Sequence, residues 1–381
     1  MRLAAVFSLL LTFLSAGYAQ VTSGAASKLQ DAPLYRISFE RREPVSGIDA
    51  PPLFKLPFGC TRDGTAFITM LPAGGLAQGP QFAPPPLLLV SVSPSGQART
   101  FPIDQSTEQL YNSRELDHYP SDSTVVFLVE AAQEKKLTTR TYTSKDGNSQ
   151  QYSDNSAERH MYLLFFDREG NHKRTLELST SFRPIRIGIF PSGTLLAYGY
   201  SEQDHAPKLA MLKQDGTLLR FLQPEEGSTP NSIFQTKDGS GKGPAVYVAP
   251  TEFVSFGDSI LLVHNKSTFP LLEVSETGSI RVIRPHLPQG VRIDSLVPSD
   301  QDLYVRVMGS DLGSIYEIDA QSGRVRRRFE TGNDAIPASI ACVHDGKFLS
   351  FDHGEGKLVP LVGTADPSTK ADQAPPRAAS K

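Results

Sequence analysis

The sequence predicts an all-β protein made of repeated four-stranded units, a single β-propeller. The stretch Ile185–Leu222 shows the alternation of apolar and polar residues that is typical of β-strands. Tight-turn signals at Ser192-Gly193 and Asp215-Gly216 divide the stretch into antiparallel strands, because glycine and aspartate tolerate a positive φ at low cost. Four short strands within about 40 residues match the size of one propeller blade.

Turns of two classes recur along the chain and predict a repeat array. The first class separates an inner strand from a second strand: Asp63-Gly64, Ser192-Gly193, Phe256-Gly257, Ser299-Asp300 and Asp345-Gly346. The second class separates a third strand from an outer strand: Ser95-Gly96, Glu169-Gly170, Asp215-Gly216, Thr277-Gly278 and Ser322-Gly323. In the second half of the chain the two classes alternate, which favours repeated blades over a sandwich.

The turn count predicts six blades when an irregular unit around Ser121–Glu130, whose inner strand is not obvious, is included. Seven blades are the alternative if Pro84–Leu110 contains another inner strand, and a β-sandwich with a second domain is the third interpretation. The last unit lacks an outer strand, whereas Leu34–Phe39 near the start alternates in the manner of a strand without a partner. We expect this N-terminal strand to complete the last blade and close the ring, since closure leaves no free sheet edge.

Residues 1–19 have the pattern of a signal peptide. Arg2 precedes an apolar run, Leu3–Leu14, and Gly17-Tyr18-Ala19 places small residues where a signal peptidase cleaves. The run is shorter than the roughly 20 residues that cross a bilayer, which favours cleavage over membrane anchoring. We therefore expect an exported protein, periplasmic or extracellular, with no integral membrane segment after cleavage.

The remaining chain divides into a propeller and polar segments. We expect a flexible mature N-terminus at 20–33, the propeller at 34–363 and a disordered tail at 364–381 rich in alanine, proline and serine. Two polar insertions interrupt the propeller, at 131–160 and 223–243. Within the first insertion, Leu137–Thr143 is predicted to form a hairpin with Gln150–Tyr152.

Two segments carry a resemblance to a known superfamily. Pro184 precedes Gly193 by nine residues, and Pro337 precedes Gly346 by the same spacing. This pattern resembles the NHL-type repeat of six-bladed propellers, a broad superfamily that includes TolB-like and lactonase-like proteins. The resemblance implies a funnel-shaped central site and, in lactonase-like members, a divalent metal held there by carboxylate and amide side chains.

The inner strands offer few side chains for such a metal. The equivalent inner-strand position, five residues before the turn glycine, carries mostly small residues: Gly59, Gly188, Glu252, Ser295 and Ala341. Glu252 and the nearby Asp294 are the weak candidate metal ligands, with Arg186 as a pairing partner for one of them. The common catalytic and nucleotide-binding motifs do not occur, so no catalytic residue and no cofactor is predicted.

The two cysteines occupy equivalent places in the first and last blades. Cys60 and Cys342 each lie four residues before the glycine of an inner turn. A closed ring makes those blades neighbours, and export exposes the chain to oxidising conditions. The alternatives are a Cys60–Cys342 disulfide across the seam and two free thiols that fill a buried apolar position.

Three functions are consistent with these features. The first is a non-catalytic binding or scaffold propeller that engages a protein or a glycan on one rim. The second is a metal-dependent, lactonase-like hydrolase, and the third is an accessory subunit of an envelope assembly. The formal net charge of −3 gives no electrostatic argument for nucleic acid as a partner. Whether the protein is an enzyme stays open, with the small inner-strand residues favouring a binding role.

Overall fold

The computed structural model describes residues 32–46, 53–71, 87–103, 110–134, 136–147, 149–155, 157–178, 181–201, 203, 207–222, 235–236, 246–247, 250–264, 271–288, 290–308, 313–331, 340–352 and 357–367. The regular structure in these residues is entirely β. In chain order the strands are β1 (Leu34–Arg41), β2 (Leu53–Cys60), β3 (Ala66–Leu71), β4 (Leu87–Val92), β5 (Ala98–Ile103), β6 (Tyr111–Pro120), β7 (Thr124–Ala132), β8 (Leu137–Thr143), β9 (Ser149–Asn155), β10 (His160–Asp167), β11 (His172–Glu177), β12 (Phe182–Ile189), β13 (Leu195–Ser201), β14 (Pro207–Leu212), β15 (Leu218–Leu222), β16 (Gln235–Thr236), β17 (Val246–Tyr247), β18 (Glu252–Phe256), β19 (Ser259–Val263), β20 (Leu271–Ser275), β21 (Ile280–Ile283), β22 (Arg292–Ser299), β23 (Asp302–Met308), β24 (Ile315–Asp319), β25 (Val325–Thr331), β26 (Ile340–His344), β27 (Lys347–Asp352) and β28 (Val359–Pro367).

Most strands form antiparallel meanders. Four sheets contain four strands each, in the orders β2-β3-β4-β5, β6-β7-β10-β11, β12-β13-β14-β15 and β18-β19-β20-β21. An eight-stranded sheet follows the order β22-β23-β24-β25-β1-β28-β27-β26, so it joins two four-stranded meanders edge to edge. The pairs β8-β9 and β16-β17 are separate two-stranded sheets.

The first strands of these meanders face one another around a centre. Strand β2 contacts β6, β6 contacts β12, and the series continues through β18, β22 and β26 back to β2. The approach is close: a Cβ added to Gly188 of β12 would lie 3.3 Å from Cδ2 of Phe253 in β18, and one on Gly59 of β2 would overlap Pro120 of β6. The crowding explains the small residues on these strands. The predicted all-β, propeller-like fold is confirmed.

The hydrophobic core lies between neighbouring sheets. Val126 of β7, Leu196 of β13 and Leu262 of β19 are completely buried and belong to one cluster that spans three sheets. Strands that are buried on both faces contain continuous apolar runs, as Val125–Val129 of β7 shows. Burial of apolar side chains between blades is the main stabilising contribution to such a fold.

The predicted turns of both classes lie where the sequence places them. The glycines of both classes adopt positive φ: Gly64, Gly96, Gly170, Gly193, Gly216, Gly257, Gly278, Gly323 and Gly346. Asp300 and Asp345 are the two non-glycine residues with positive φ in the described chain, at 52° and 48°. Aspartate is one of the few residues with a side chain that adopts this conformation readily.

The N-terminal strand joins the two ends of the chain. Strand β1 pairs antiparallel with β28 from Tyr35↔Pro367 to Arg41↔Leu361, as predicted for the outer strand of the last unit. It also pairs in parallel with β25, which the sequence did not predict. The predicted propeller end at 363 is corrected to 367, because residues 364–367 continue β28 by pairing with β1.

An aromatic cluster stabilises this seam. The side chain of Ile37 in β1 is completely buried in a cluster with Tyr304, Phe329 and Phe348. The rings of Phe329 and Phe348 lie 5.1 Å apart between centroids, and Tyr304 meets Phe348 edge to face at 5.6 Å. Contacts of this kind add to the area buried by the strand itself.

The inner strand that the sequence did not reveal is β6. Its pairing with β7 is interrupted between Tyr111 and Arg114 and again between Glu115 and Asp117. Each irregularity shifts the side-chain alternation, so the two-residue period is lost along this strand. The irregular unit around Ser121–Glu130 therefore does possess a complete four-stranded sheet.

The predicted hairpin in the 131–160 insertion is confirmed. Strands β8 and β9 pair from Leu137↔Asn155 to Thr143↔Ser149 around a turn with Gly147 at φ 81°. The exposed side chains include Thr139, Thr141, Thr143 and Ser149. The insertion is shorter than predicted, since β7 extends to Ala132 and β10 begins at His160.

Deletion of the hairpin is expected to leave the ring intact. Strands β8 and β9 form a two-stranded sheet of their own, so replacing residues 135–156 by a short Gly-Ser linker should leave the sheets of the ring unchanged. Tm should then change by less than about 3 °C, the shift that roughly 1 kcal/mol produces. A Leu163→Ala variant serves as the control, because this fully buried side chain should lower Tm clearly. A drop of Tm in the deletion variant as large as that in the control would show that the hairpin packs as part of the ring.

Several expectations fall outside the described residues. The signal peptide 1–19, almost all of the mature N-terminus 20–33, residues 368–381 of the tail, and the insertion 223–243 apart from β16 lie there. Within the part of the chain that the structure describes, no helix is long and apolar enough to span a membrane.

Candidate functional site

A cavity of about 240 Å³ lies at the end of the ring where inner strands turn into second strands. Four turn regions contribute to its wall, those that follow β2, β18, β22 and β26. The lining residues are Cys60, Thr61, Arg62, Ser255, Phe256, Gly257, Pro298, Ser299, Asp300, Val343 and His344. We call this cavity the mouth pocket. It exists because turns that are distant in sequence converge at one end of the ring.

Arg62 crosses the mouth pocket and links three turns. Its guanidinium contacts Oδ1 of Asp258 at 2.6 Å, the Gly257 carbonyl at 2.6 Å and Oδ2 of Asp122 at 3.2 Å. Its backbone N–H donates to Oδ1 of Asp122 at 2.9 Å. Hydrogen bonding to Asp258 raises the pKa of Arg62, so this cation stays charged at any physiological pH.

A second arginine reaches the same rim from the β10–β11 turn. Arg168 contacts both carboxylate oxygens of Asp63, at 2.8 and 3.2 Å. Burial alone would raise the pKa of Asp63, but the hydrogen bonds from Arg168 and Thr61 lower it well below the usual range. Asp63 therefore stays ionised and fixes the geometry of its turn, in which Thr65 N–H also donates to it.

The inner turns carry an excess of negative charge. The connections between inner and second strands contain five aspartates and one arginine, a formal charge of −4: Asp63, Asp122, Asp258, Asp300, Asp345 and Arg62. Each aspartate has a local reason to be there, because aspartate suits turns. Arg168 reaches the same rim and reduces this formal charge from −4 to −3, so the rim is still acidic. The side chains of Asp258 and Asp345 are 82% and 85% exposed.

A buried hydroxyl lies behind the pocket wall. Tyr119, at the end of β6, is 1% exposed and sits beside Ser255 of the lining. Its Oη has no hydrogen bond of normal geometry within the described residues, and burial raises the pKa of this phenol. Tyr119 therefore places a buried polar group behind the Ser255 side of the pocket.

A disulfide forms part of the pocket wall. Cys60 at the end of β2 is bonded to Cys342 in β26, with the two Cα atoms 5.2 Å apart. The bond joins the first meander to the last across 282 residues. It therefore closes the ring at its inner edge, whereas β1 closes the ring at its outer edge.

The candidate metal ligands lie apart from the pocket lining. Glu252 begins β18 and is buried. Asp294 lies at an irregularity of β22 and pairs with Arg306, with Nη1 and Oδ2 3.4 Å apart. Within the described ranges no three histidine, cysteine, aspartate or glutamate side chains are grouped as a metal ion would require. The described residues therefore provide no set of metal ligands that would support the metal-hydrolase hypothesis.

Arg186 belongs to a buried polar cluster that sequence reasoning missed. Its guanidinium donates to the carbonyls of Thr251 and Ile185, at 3.0 and 2.7 Å. Asp117 in β6 accepts a hydrogen bond from Ile187 N–H at 2.9 Å and interacts electrostatically with Arg186. Burial raises the pKa of Asp117 to about 6 even though Arg186 and His118 act to lower it.

His118 and Glu115 complete this cluster beside the bulges of β6. Nδ1 of His118 lies 3.2 Å from Oε1 of Glu115 and 3.3 Å from Oγ1 of Thr69. The side chains of His118 and Glu115 are 2% and 6% exposed. The cluster joins β6 to β12 through Asp117 and to β3 through His118, so we assign it a structural role. The sequence signal for this cluster is the pair of carboxylates in Glu115-Leu116-Asp117. It becomes informative only once β6 is known to be an inner strand, where charged residues are unexpected.

These observations define the class of the molecule as a propeller-like protein with a mouth pocket that is surrounded by acidic turns. The sequence matches no protein-family model and no curated protein. Among solved structures, it is similar to a protein of unknown function from Bacteroides caccae (11% identity, TM-score 0.31, covering 64% of this chain and 89% of that one).

Two enzyme structures show similarity of the same kind. One is hydrazine synthase of Kuenenia stuttgartiensis, with 10% identity, a TM-score of 0.38 and coverage of 86% of this chain and 98% of that one. The other is glutaminyl cyclase of Myxococcus xanthus, with 10% identity, a TM-score of 0.31 and coverage of 89% and 100%. Similarity at this level carries no argument about function, so the propeller-like fold rests on the strand order itself.

Proposed function

We propose that the chain is an exported, non-catalytic binding propeller whose mouth pocket receives a cationic group of a partner protein. The signal-peptide pattern of residues 1–19 supports export. The ring has six blades in this proposal, which is supported by four separate four-stranded sheets and two more meanders within the eight-stranded sheet. The observation that carries the proposal is the acidic rim around a cavity.

The charge of the rim selects the ligand. The five aspartates of the inner turns face two arginines, Arg62 and Arg168, and Asp300 lines the pocket itself. The excess of negative charge on the rim raises the local concentration of cationic ligands near the cavity. A lysine or arginine side chain would meet the carboxylate of Asp300, the hydroxyls of Ser255 and Ser299, and the ring of Phe256, which offers an apolar and cation–π surface.

The volume of the pocket limits how much of the ligand enters. Pockets for drug-sized molecules occupy about 300–1,000 Å³, whereas the mouth pocket has a volume of about 240 Å³. This space suits a single side chain better than a complete glycan or nucleotide. The partner is therefore a protein surface that inserts one basic side chain while its other residues lie on the rim.

Titration with model peptides tests the proposal. A hexalysine peptide is expected to bind the mature protein, while a hexaglutamate peptide does not bind, as measured by calorimetry at low salt. Replacing Asp300 and Asp345 by asparagine should weaken hexalysine binding about two- to thirtyfold, given roughly 0.2–1 kcal/mol for each of the two exposed charges. Asparagine also tolerates the positive φ of these two positions, so the turns are preserved.

A charge-matched variant provides the control. Asp146→Asn with Glu158→Gln removes two exposed charges that lie outside the inner turns, near the β8–β9 hairpin. This variant should bind hexalysine as the unchanged protein does. Equal weakening in both double variants would mean that binding follows net charge alone, and the proposal of a mouth site would then be wrong.

A further inference from the structure

The two sulfur atoms of the disulfide lie in different environments. Cys60 is partly exposed and contributes to the wall of the mouth pocket, whereas Cys342 is 1% exposed and lies in the core beneath it. Thiol–disulfide exchange requires a thiolate to reach one sulfur and displace the other. A thiolate that enters the pocket can therefore reach Cys60 but not Cys342.

The mouth pocket also influences which thiol arrives. Arg62 lines the cavity together with Cys60, and a cation near the reacting sulfur favours an attacking thiolate. The surrounding rim is acidic, so a reagent with a net negative charge is repelled before it reaches the cavity. A thiol that also carries a positive group is not repelled by the rim, and its thiolate is still favoured near Cys60.

We propose that Cys60 is a thiol-exchange site, at which a reductant entering the mouth pocket opens the ring-closing disulfide. The thiolate of the reductant attacks Sγ of Cys60, the Cys60–Cys342 bond breaks, and Cys342 leaves as a thiolate that takes up a proton. With a dithiol, its second thiolate then attacks the mixed disulfide and releases Cys60. The protein gains two electrons and two protons, and the dithiol becomes a disulfide.

The ring stays assembled after this reaction. Strand β1 continues to hold β28 and β25 together, and β2 continues to contact β26. Reduction therefore removes the covalent closure of the ring, the disulfide, and leaves the closure by strand β1 in place. The site is a reversible modification of the folded protein, located in the wall of the pocket.

Three monothiols of similar size and different charge test the assignment. Cysteamine is cationic, 2-mercaptoethanol is neutral and 2-mercaptoethanesulfonate is anionic. The native, oxidised protein is treated with each one, quenched in acid, alkylated and mapped by mass spectrometry. We expect the mixed disulfide on Cys60 and the alkylated thiol on Cys342. Rates are divided by those for the urea-unfolded protein to remove intrinsic reactivity.

After this normalisation, cysteamine should react at least about threefold faster than 2-mercaptoethanesulfonate, and the ratio should fall with added salt. In the Asp300→Asn, Asp345→Asn variant the ratio of the cysteamine rate to the 2-mercaptoethanesulfonate rate should be closer to one. The mixed disulfide should still form on Cys60. A mixed disulfide on Cys342, equal normalised rates, or reaction only under unfolding conditions would each overturn the assignment. None of these outcomes depends on whether a basic side chain binds the pocket.

Discussion

Replacing Cys60 and Cys342 by alanine is expected to lower the free energy of unfolding by about 5 kcal/mol. The disulfide closes a loop with a sequence separation of 282 residues, and the chain-entropy model assigns a large stabilisation to a loop of this length. Alanine keeps the position apolar, which matters because Cys342 is 1% exposed. Urea unfolding of the oxidised protein and of the variant measures the difference.

Strong reductant supplies the matched control. The unchanged protein in reductant should unfold at nearly the urea concentration of the double-alanine variant, since both lack the covalent bond. The variant itself should not respond to reductant. Equal stability of the oxidised protein and the variant would show that the bond contributes nothing to ring closure.

Replacing Arg186 by methionine is expected to cost about 3 kcal/mol at pH 8. The substitution removes a guanidinium that donates to backbone carbonyls and faces the buried Asp117. Methionine fills much of the same volume, so the loss of charge dominates. A buried carboxylate without its cation is among the costlier changes in a protein interior.

The cost of Arg186→Met should fall at pH 5. The pKa of Asp117 is raised to about 6, so the folded protein holds this proton more tightly than the unfolded chain does. Stability therefore decreases as pH rises from about 4 to about 6 and stays lower above that range. At pH 5 Asp117 is largely protonated and needs no cation, whereas at pH 8 it is charged. Urea unfolding curves of the unchanged protein and the variant, recorded at pH 5 and at pH 8, measure the cost at each pH.

An Asp117→Asn background separates this charge effect from the titration of other groups. Asparagine keeps an acceptor for Ile187 N–H but carries no charge. In this background Arg186→Met should cost less, and its cost should be the same at pH 5 and pH 8. A cost that is independent of pH in both backgrounds would contradict the pairing of Arg186 with Asp117.

The sequence predicted the turns and meanders because their determinants are local. Gly193 and Gly216 are required within two residues of the point where the chain reverses, and each meander follows from its own segment. The hairpin around Gly147 was predicted for the same reason. The equivalent places of Cys60 and Cys342 followed from counting residues back to a turn.

The parts that were not predicted depend on contacts between distant segments. The parallel pairing of β1 with β25 joins residues almost 300 positions apart, and no local pattern encodes it. Strand β6 was missed because its two irregularities break the alternation on which strand prediction depends. The mouth pocket requires four turns to converge, although the repeated aspartate in the inner turns was a signal already present in the sequence.

His344 offers the most direct test of the mouth pocket as a binding site. The chain has eight histidines, and His344 lines the pocket, while His118 and His264 are buried elsewhere. Side-chain NMR of histidine-labelled protein, with His344 assigned through a His344→Gln variant, follows each ring during titration with hexalysine. A saturable shift of the His344 resonances, with the buried histidines unchanged and the shift reduced in the Asp300→Asn, Asp345→Asn variant, is the predicted result. Binding of hexalysine that leaves the His344 resonances unmoved would contradict it.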